Sequence, residues 1–191
     1  MGKSRQTDNA GAVADAVGRL LVGRRAIAAR VAELAAEIAG QYADREVTLL
    51  AVLTGSVVFL ADLIRGLPLR LRLEVVSVRS YPGEATESRG PDFISQVPSD
   101  LAGKDVLIID DILDSGQTLG ALFRAVGEQN PSSLRTCVLL RKDRPDLSDR
   151  PRPDFVGFEV ADEFVIGYGL DFGDLYRNLP DICVLKQGAT R

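Results

Sequence analysis

The sequence of 191 residues contains no histidine and only two cysteines, and its 23 basic and 27 acidic residues leave a formal net charge of −4. The missing histidine excludes imidazole general bases, His-dependent nucleophilic triads and His-containing zinc sites together. Acid–base work must therefore fall to Asp, Glu, Lys or Tyr. Cys137 and Cys183 lie in apolar, strand-like runs without metal-ligand spacing and read as reduced core residues, which suits a cytoplasmic protein. A pI near 5.0 argues against a general nucleic-acid binder. No apolar run approaches membrane-spanning length, there is no apolar leader core, and position 6 holds no serine or threonine to accompany Met1-Gly2. No membrane partner is expected. A G-x-x-x-x-G-K-S/T phosphate loop is missing too, since Gly2-Lys3-Ser4 lacks the upstream glycine and strand.

What remains is enough for one well-packed domain, with 46% hydrophobic residues. Residues 1–12 are polar and expected to be disordered, leaving a single domain over 13–191. Between Asp15 and Ala39, Ile27, Val31, Leu34, Ala35 and Ile38 recur at helical spacing, which predicts an amphipathic helix with a break near Gly23. Val47–Leu53 reads as a buried strand, followed by a helix through Phe59, Leu60, Leu63 and Ile64 that Gly66 closes. Leu69–Val78 is a further strand whose arginines form a solvated face. Residues 80–103 are rich in Pro, Gly, Ser and Glu, and a loop this long inside a compact domain is usually functional. Thr136–Leu140, Phe155–Val160, Phe164–Tyr168 and Ile182–Leu185 are the remaining strand candidates. Strands alternating with helices predict an α/β fold with a mostly parallel sheet flanked by helices.

The segment from Val106 to Thr118 carries the most chemistry. Val106–Ile109 is a continuous apolar run, as in a parallel strand covered on both faces, and ligands of such sheets bind at the carboxyl ends of strands. Asp110, Asp111 and Asp114 fall at that end. Ser115, Gly116, Gln117 and Thr118 then precede the apolar-periodic Leu119, Leu122, Phe123 and Val126, so their backbone N–H groups can converge on an anion at a helix start. Carboxylates beside an anion cradle repel a bare phosphate. They make sense when the ligand also carries hydroxyls, or a divalent cation that offsets charge.

This segment resembles the phosphoribosyl-pyrophosphate motif of the type I phosphoribosyltransferases. The likeness extends through Leu53-Thr54-Gly55-Ser56, Ser80-Tyr81, Leu139-Leu140 with Lys142, Phe155–Glu159, Phe164–Asp171 and Tyr176–Pro180. Over about residues 15–186 the chain is similar to the bacterial hypoxanthine-guanine phosphoribosyltransferases. The resemblance implies a small hood over about 155–191 with part of the N-terminus. It implies transfer of phosphoribose from phosphoribosyl pyrophosphate to a 6-oxopurine base, with Mg2+ as cofactor and a homodimer or homotetramer as the assembly. In that reading Asp110, Asp111, Asp114 and Ser115–Thr118 hold the ribose phosphate, with Asp114 also the general base. Thr54, Gly55 and Arg177 hold pyrophosphate, and Ser80 and Tyr81 belong to a closing lid. Lys142, Phe164, Val165 and Asp171 face the purine: Lys142 donates to the oxygen at position 6, Phe164 stacks, and Val165 contributes its backbone. Asp171 is the implied ligand of a second magnesium, and Asp110 and Asp111, which hold the ribose hydroxyls, are metal candidates as well.

Departures from the family pattern are few. Thr54 stands where many relatives carry lysine, Asp110-Asp111 where Glu-Asp is frequent, Ser115 where threonine is common, and Glu163 where some relatives are basic. Two rivals share the fold: a xanthine-preferring enzyme, and an RNA-binding regulator of the pyrimidine-attenuator kind, which would be expected to show a basic face.

Overall fold

The computed structural model describes residues 16–79, 92–93, 96–147, 150–186 and 188. Strand β1 (Val17–Val22) precedes helix α1 (Arg24–Gln41), and strand β2 (Glu46–Leu53) leads into helix α2 (Val57–Gly66). Then follow β3 (Arg70–Arg79), β4 (Asp92–Phe93), β5 (Asp105–Leu113), α3 (Gln117–Gly127), β6 (Ser133–Lys142), β7 (Phe155–Val160), β8 (Val165–Ile166) and β9 (Ile182–Leu185). The larger sheet has six strands in the order β4-β3-β2-β5-β6-β7. Its strands β3, β2, β5, β6 and β7 are mutually parallel, and the short β4 runs antiparallel along β3.

Strand periodicity divides the apolar residues between two layers. Val47, Leu49 and Ala51 of β2, Leu107 and Ile109 of β5, and Cys137 and Leu139 of β6 pack against α1 and α2. Leu50 and Val52, Val106 and Ile108, and Val138 point the other way, onto Leu119, Leu122 and Val126 of α3. This two-sided burial explains why these strands read as unbroken apolar runs. On α1 the buried residues are Ile27, Val31, Leu34, Ala35 and Ile38, the stripe that the helical spacing picks out.

Four features differ from the sequence expectation. The stretch before Gly23 is a strand rather than the start of a helix: β1 pairs with β9, which also pairs with β8, and the three antiparallel strands form a second, smaller sheet. Strand β7 joins the larger sheet, so this hood consists of β1, β8, β9 and the turns between them. Strand β8 is shorter than Phe164–Tyr168 because Gly167, Tyr168 and Gly169 adopt positive φ of 97°, 51° and 99° and turn the chain away. Phe123, expected on the apolar stripe of α3, stays 42% exposed. Residues 1–12 lie outside the described residues.

The hood is tied to the main sheet at both ends. Arg24, at the first position of α1, donates its backbone N–H and Nε to Asp181 Oδ1 at 2.7 and 3.1 Å and its terminal nitrogen to Oδ2 at 2.7 Å. That contact holds the Asp181 carboxyl below its usual range. Tyr168 donates its hydroxyl to Asp62 of α2 at 2.7 Å, and burial followed by that carboxylate pushes the phenol up. No helix among the described residues is long and apolar enough to cross a membrane.

Core packing carries a simple expectation. Leu34 is fully buried between α1 and the sheet whereas Leu20 of β1 is 58% exposed. Leu34→Ala should lower the unfolding free energy by about 2–5 kcal/mol and Leu20→Ala by no more than about 0.5 kcal/mol, as read from urea denaturation.

Candidate active site

The carboxyl ends of β2, β5 and β6 open toward the hood, and the side chains that carry chemistry gather there. Strand β5 continues past Ile109 as far as Leu113, with Asp110 in register with Val138 and Ile112 with Leu140. Asp110 and Asp111 therefore belong to the strand itself rather than to the loop beyond it. Each carboxylate is fastened by a nearby amide: Asp111 N–H donates to Asp110 Oδ1 at 3.0 Å and Ile112 N–H to Asp111 Oδ1 at 2.9 Å. Asp110 is only 7% exposed. Burial, and then the neighbouring Asp111 charge, push its carboxyl well above the usual range. Burial also raises Asp111, with Arg177 among the groups that pull it back.

The turn after β2 is built around the same pair. The Leu53–Thr54 peptide is cis. Ser56, fully buried, donates its hydroxyl to Val52 O at 2.5 Å. Gly55 leaves no room for a side chain, since a Cβ there would overlap the Asp111 carboxylate, and a Cβ on Gly169 would overlap the Gly55 carbonyl. The β2 turn is thus pressed between the β5 acids and the hood, its backbone in direct contact with both.

Beyond β5, Gly116 takes a φ of 80° and starts α3 without any side-chain cap. Only Ser115 Oγ approaches the Gln117 amide, at 3.4 Å. The first amides of an 11-residue helix are thereby left to a ligand. Behind this loop, a Cβ on Gly116 would lie 2.8 Å from Pro151 Cδ and 3.1 Å from Arg150 Cβ. The β6–β7 connection is therefore the wall of the cradle.

Lys142 ends β6, only 8% exposed. Its ammonium lies 2.9 Å from Asp114 Oδ2 and 3.1 Å from Asp162 Oδ1. Arg144 completes the arrangement at 2.9 Å from Asp114 Oδ1 and 3.3 Å from Asp162 Oδ2. Arg150 donates to the backbone carbonyls of Asp114 at 3.2 Å and Lys142 at 2.5 Å. Arg144, Arg150 and Asp162 were not singled out from the sequence. The available signal was that Lys142 and Arg144 lie two apart at a strand end, and nothing local joins either to Asp162.

On the hood side Phe164 is 54% exposed and meets Phe172 edge-on, with centroids 5.5 Å apart and planes at 84°. Val165, next to it, is buried in β8, in register with Val184. Arg177 donates to Gly169 O at 2.9 Å and pairs with Asp171 Oδ1 at 2.8 Å and Asp174 Oδ1 at 3.2 Å. Asp171 is thus engaged by Arg177 and by the Asp174 amide at 2.8 Å. Among the described residues no three acidic side chains are gathered into a metal cage. Ser80 and Tyr81, expected in the lid, lie outside the described residues.

A buried carboxylate pair and an uncapped helix start lie at and beyond the carboxyl end of β5, and an open aromatic ring precedes β8, a set whose chemistry suits a phosphorylated sugar and a flat base. Residues 21–173 match the family model of the phosphoribosyl transferase domain. The hypoxanthine-guanine phosphoribosyltransferase of Mycobacterium avium is 40% identical over 166 residues, which cover 83% of this chain and 81% of that protein. That of Bacillus subtilis (strain 168) is 38% identical over 170 residues, covering 89% and 94%. The crystal structure of a hypoxanthine phosphoribosyltransferase from Staphylococcus aureus superposes with a TM-score of 0.82 at 32% identity, covering 97% of each chain. The chain belongs to the hypoxanthine-guanine phosphoribosyltransferase family.

The raised Asp110 carboxyl has a thermodynamic consequence. A carboxyl whose folded pKa exceeds its unfolded one contributes stability that is lost as pH rises through the carboxylate range. In magnesium-free buffer Asp110→Asn, which keeps an acceptor for the Asp111 amide, should raise Tm at pH 7–8. That gain should shrink as pH falls toward about 3, below the unfolded carboxyl's value of about 3.9, where Asp110 is protonated in both states. A Tm gain independent of pH would contradict the buried-charge account.

Proposed function

We propose that the chain transfers the 5-phosphoribosyl group from phosphoribosyl pyrophosphate to hypoxanthine or guanine, forming IMP or GMP and releasing pyrophosphate. The observation that carries this reading is the 2.9 Å pairing of Lys142 with Asp114 immediately before the uncapped start of α3, which puts a base-reading edge next to a phosphate cradle. In the reaction the purine ring nitrogen bonds to the anomeric carbon as the bond to pyrophosphate breaks. A second ring nitrogen gives up its proton.

Each role falls to a group with suitable chemistry. The amides of Ser115, Gly116, Gln117 and Thr118 receive the 5′-phosphate, and Asp110 and Asp111 accept hydrogen bonds from the ribose hydroxyls. Lys142 donates to the oxygen at purine position 6, Asp114 accepts the ring proton, and Phe164 stacks on the base. The backbone of Val165 and the side chain of Asp171 border the same base. The turn at Thr54-Gly55 offers backbone N–H to pyrophosphate. Arg177 clamps the same oxyanion once it exchanges a hood carboxylate for it.

The buried, crowded pair Asp110–Asp111 fits a divalent cation or hydroxyl donors, either of which relieves the carboxylate repulsion. Mg2+ held near Asp110, Asp111 and Asp171, directly or through water, would neutralise the charge that builds on pyrophosphate. Leu73 and Val75, 49% and 46% exposed on one face of β3, suit burial in a homodimer or homotetramer. The two free, buried cysteines fit a reducing compartment such as the cytoplasm.

The test is to mix the protein with phosphoribosyl pyrophosphate, Mg2+ and hypoxanthine, guanine, xanthine or adenine in turn, and measure pyrophosphate. Hypoxanthine or guanine should turn over, and adenine should be slower by roughly 10⁴, because its amino group cannot accept from Lys142. Robust turnover of adenine would overturn the 6-oxopurine reading. A chelator should abolish activity. Asp114→Asn should lower kcat by roughly 10² to 10⁴ with phosphoribosyl pyrophosphate binding retained, and Lys142→Ala should raise KM for the base selectively.

A further inference from the structure

Four side chains at the end of β6 form a closed ring of alternating charge. Lys142 bridges Asp114 Oδ2 at 2.9 Å and Asp162 Oδ1 at 3.1 Å, and Arg144 bridges the opposite oxygens, Asp114 Oδ1 at 2.9 Å and Asp162 Oδ2 at 3.3 Å. Two cations answer two anions, so the ring is neutral as a unit. Its two carboxylates are nearly half-exposed, and an isolated pair there would contribute little. A closed network with a nearly buried lysine at one corner is the exception.

The geometry points to Arg144 and Asp162 as positioning residues that hold Asp114 and Lys142 as a preset pair for one edge of the base. This rests on the roles assigned to Asp114 and Lys142 above. An ammonium has three donors: Lys142 gives one to Asp114, is drawn toward Asp162 by an ion pair at 3.1 Å, and keeps the third for a substrate oxygen. A carboxylate has about four acceptor positions, and with Arg144 on Oδ1 and Lys142 on Oδ2, Asp114 keeps an unused lone pair on Oδ2 for a ring N–H. A donor and an acceptor thus stand side by side, matching the adjacent position-6 oxygen and ring nitrogen along one purine edge.

The outer pair makes this arrangement single-valued. Without Arg144, two carboxylates compete for one ammonium and Asp114 is free to turn about its side chain. Without Asp162, Lys142 is drawn wholly onto Asp114 and its third donor loses its aim. Arg150, donating to the backbone carbonyls of Asp114 and Lys142, fixes the main chain of both inner residues and leaves the side chains to the ring. Arg144 suits its corner because a planar guanidinium can donate to Asp114 at 2.9 Å and to both oxygens of Asp146 at 3.2 and 3.1 Å while facing Asp162 as an ion pair.

The experiment compares Arg144→Gln, Asp162→Asn, the charge-balanced double variant and Arg144→Lys in steady-state kinetics, beside Asp114→Asn and Lys142→Ala. Arg144→Gln should lower kcat by about 10-fold to 10²-fold, the loss that a small misalignment of a reacting group produces. Asp162→Asn should raise KM for the base by about tenfold. In both, KM for phosphoribosyl pyrophosphate should stay within about threefold and Tm close to that of the native protein. The double variant should lose less than the product of the single losses, because both corners act through one ring. Arg144→Lys should recover only part of kcat, since an ammonium lacks the planar fork with which Arg144 meets Asp114 and Asp146 together.

Single variants with unchanged kcat and base KM, strictly multiplicative losses, or full recovery in Arg144→Lys would each overturn the positioning role. A general loss that moves both KM values and Tm together would also overturn it, as a structural role alone. The parent assignment fails separately: it falls when Asp114→Asn and Lys142→Ala keep normal kinetics, whatever the outer variants do.

Discussion

Two adjacent carboxylates at the buried end of a central strand are the constraint around which the site is organised. Asp110 and Asp111 cannot move apart, because β5 pairs with β6 on both sides of them, and burial raises the cost of charging both. The surroundings accommodate the pair. Backbone amides fasten one oxygen of each, Gly55 gives up a side chain to make room, and Arg177 supplies a distant positive charge. A core of apolar side chains alone would be more stable at this point. Two buried acids kept at such a cost accord with the proposed reception there of a sugar's hydroxyls and a divalent cation.

The arrangement divides by substrate. In the proposed reaction ribose and its phosphates would be served by short, continuous segments, the β2 turn and the β5–α3 loop, largely through backbone amides. The base would be served by side chains drawn from β6, from the connection after it and from the hood. Recognition of phosphate by backbone is tolerant of side-chain identity, which accords with Thr54 in the β2 turn. Recognition of a base depends on particular side chains held in one geometry.

Legibility in the sequence follows the same division. The acids, the cradle and the central strands were readable because the signals are local: apolar runs buried on both faces, then carboxylates, then a glycine before a helical stripe. Strand β1 was not readable, because its apolar residues also fit a helical period and its pairing partner β9 lies near the other end of the chain. Phe123 satisfied the helical period but fell outside the layer that α3 covers. The Lys142–Asp162–Arg144–Asp114 ring was half visible. The family resemblance singles out Lys142 and Asp114, whereas Arg144 and Asp162 become their partners only after three parallel strands have brought distant segments together.

The hood is a sheet apart among the described residues, joined to the main body by polar clasps, by the contact of Gly169 with the Gly55 carbonyl, and by a shared apolar core. It pairs with no strand of the larger sheet, yet Val22, Val165, Leu170 and Ile182 belong to the same buried cluster as Leu34, Phe59 and Ile109. The two sheets are therefore coupled by side-chain packing rather than by backbone ladders, and packing of that kind transmits a change in volume. A cavity opened beneath Val165 or Ile182 would thus be felt on both sides of the cleft.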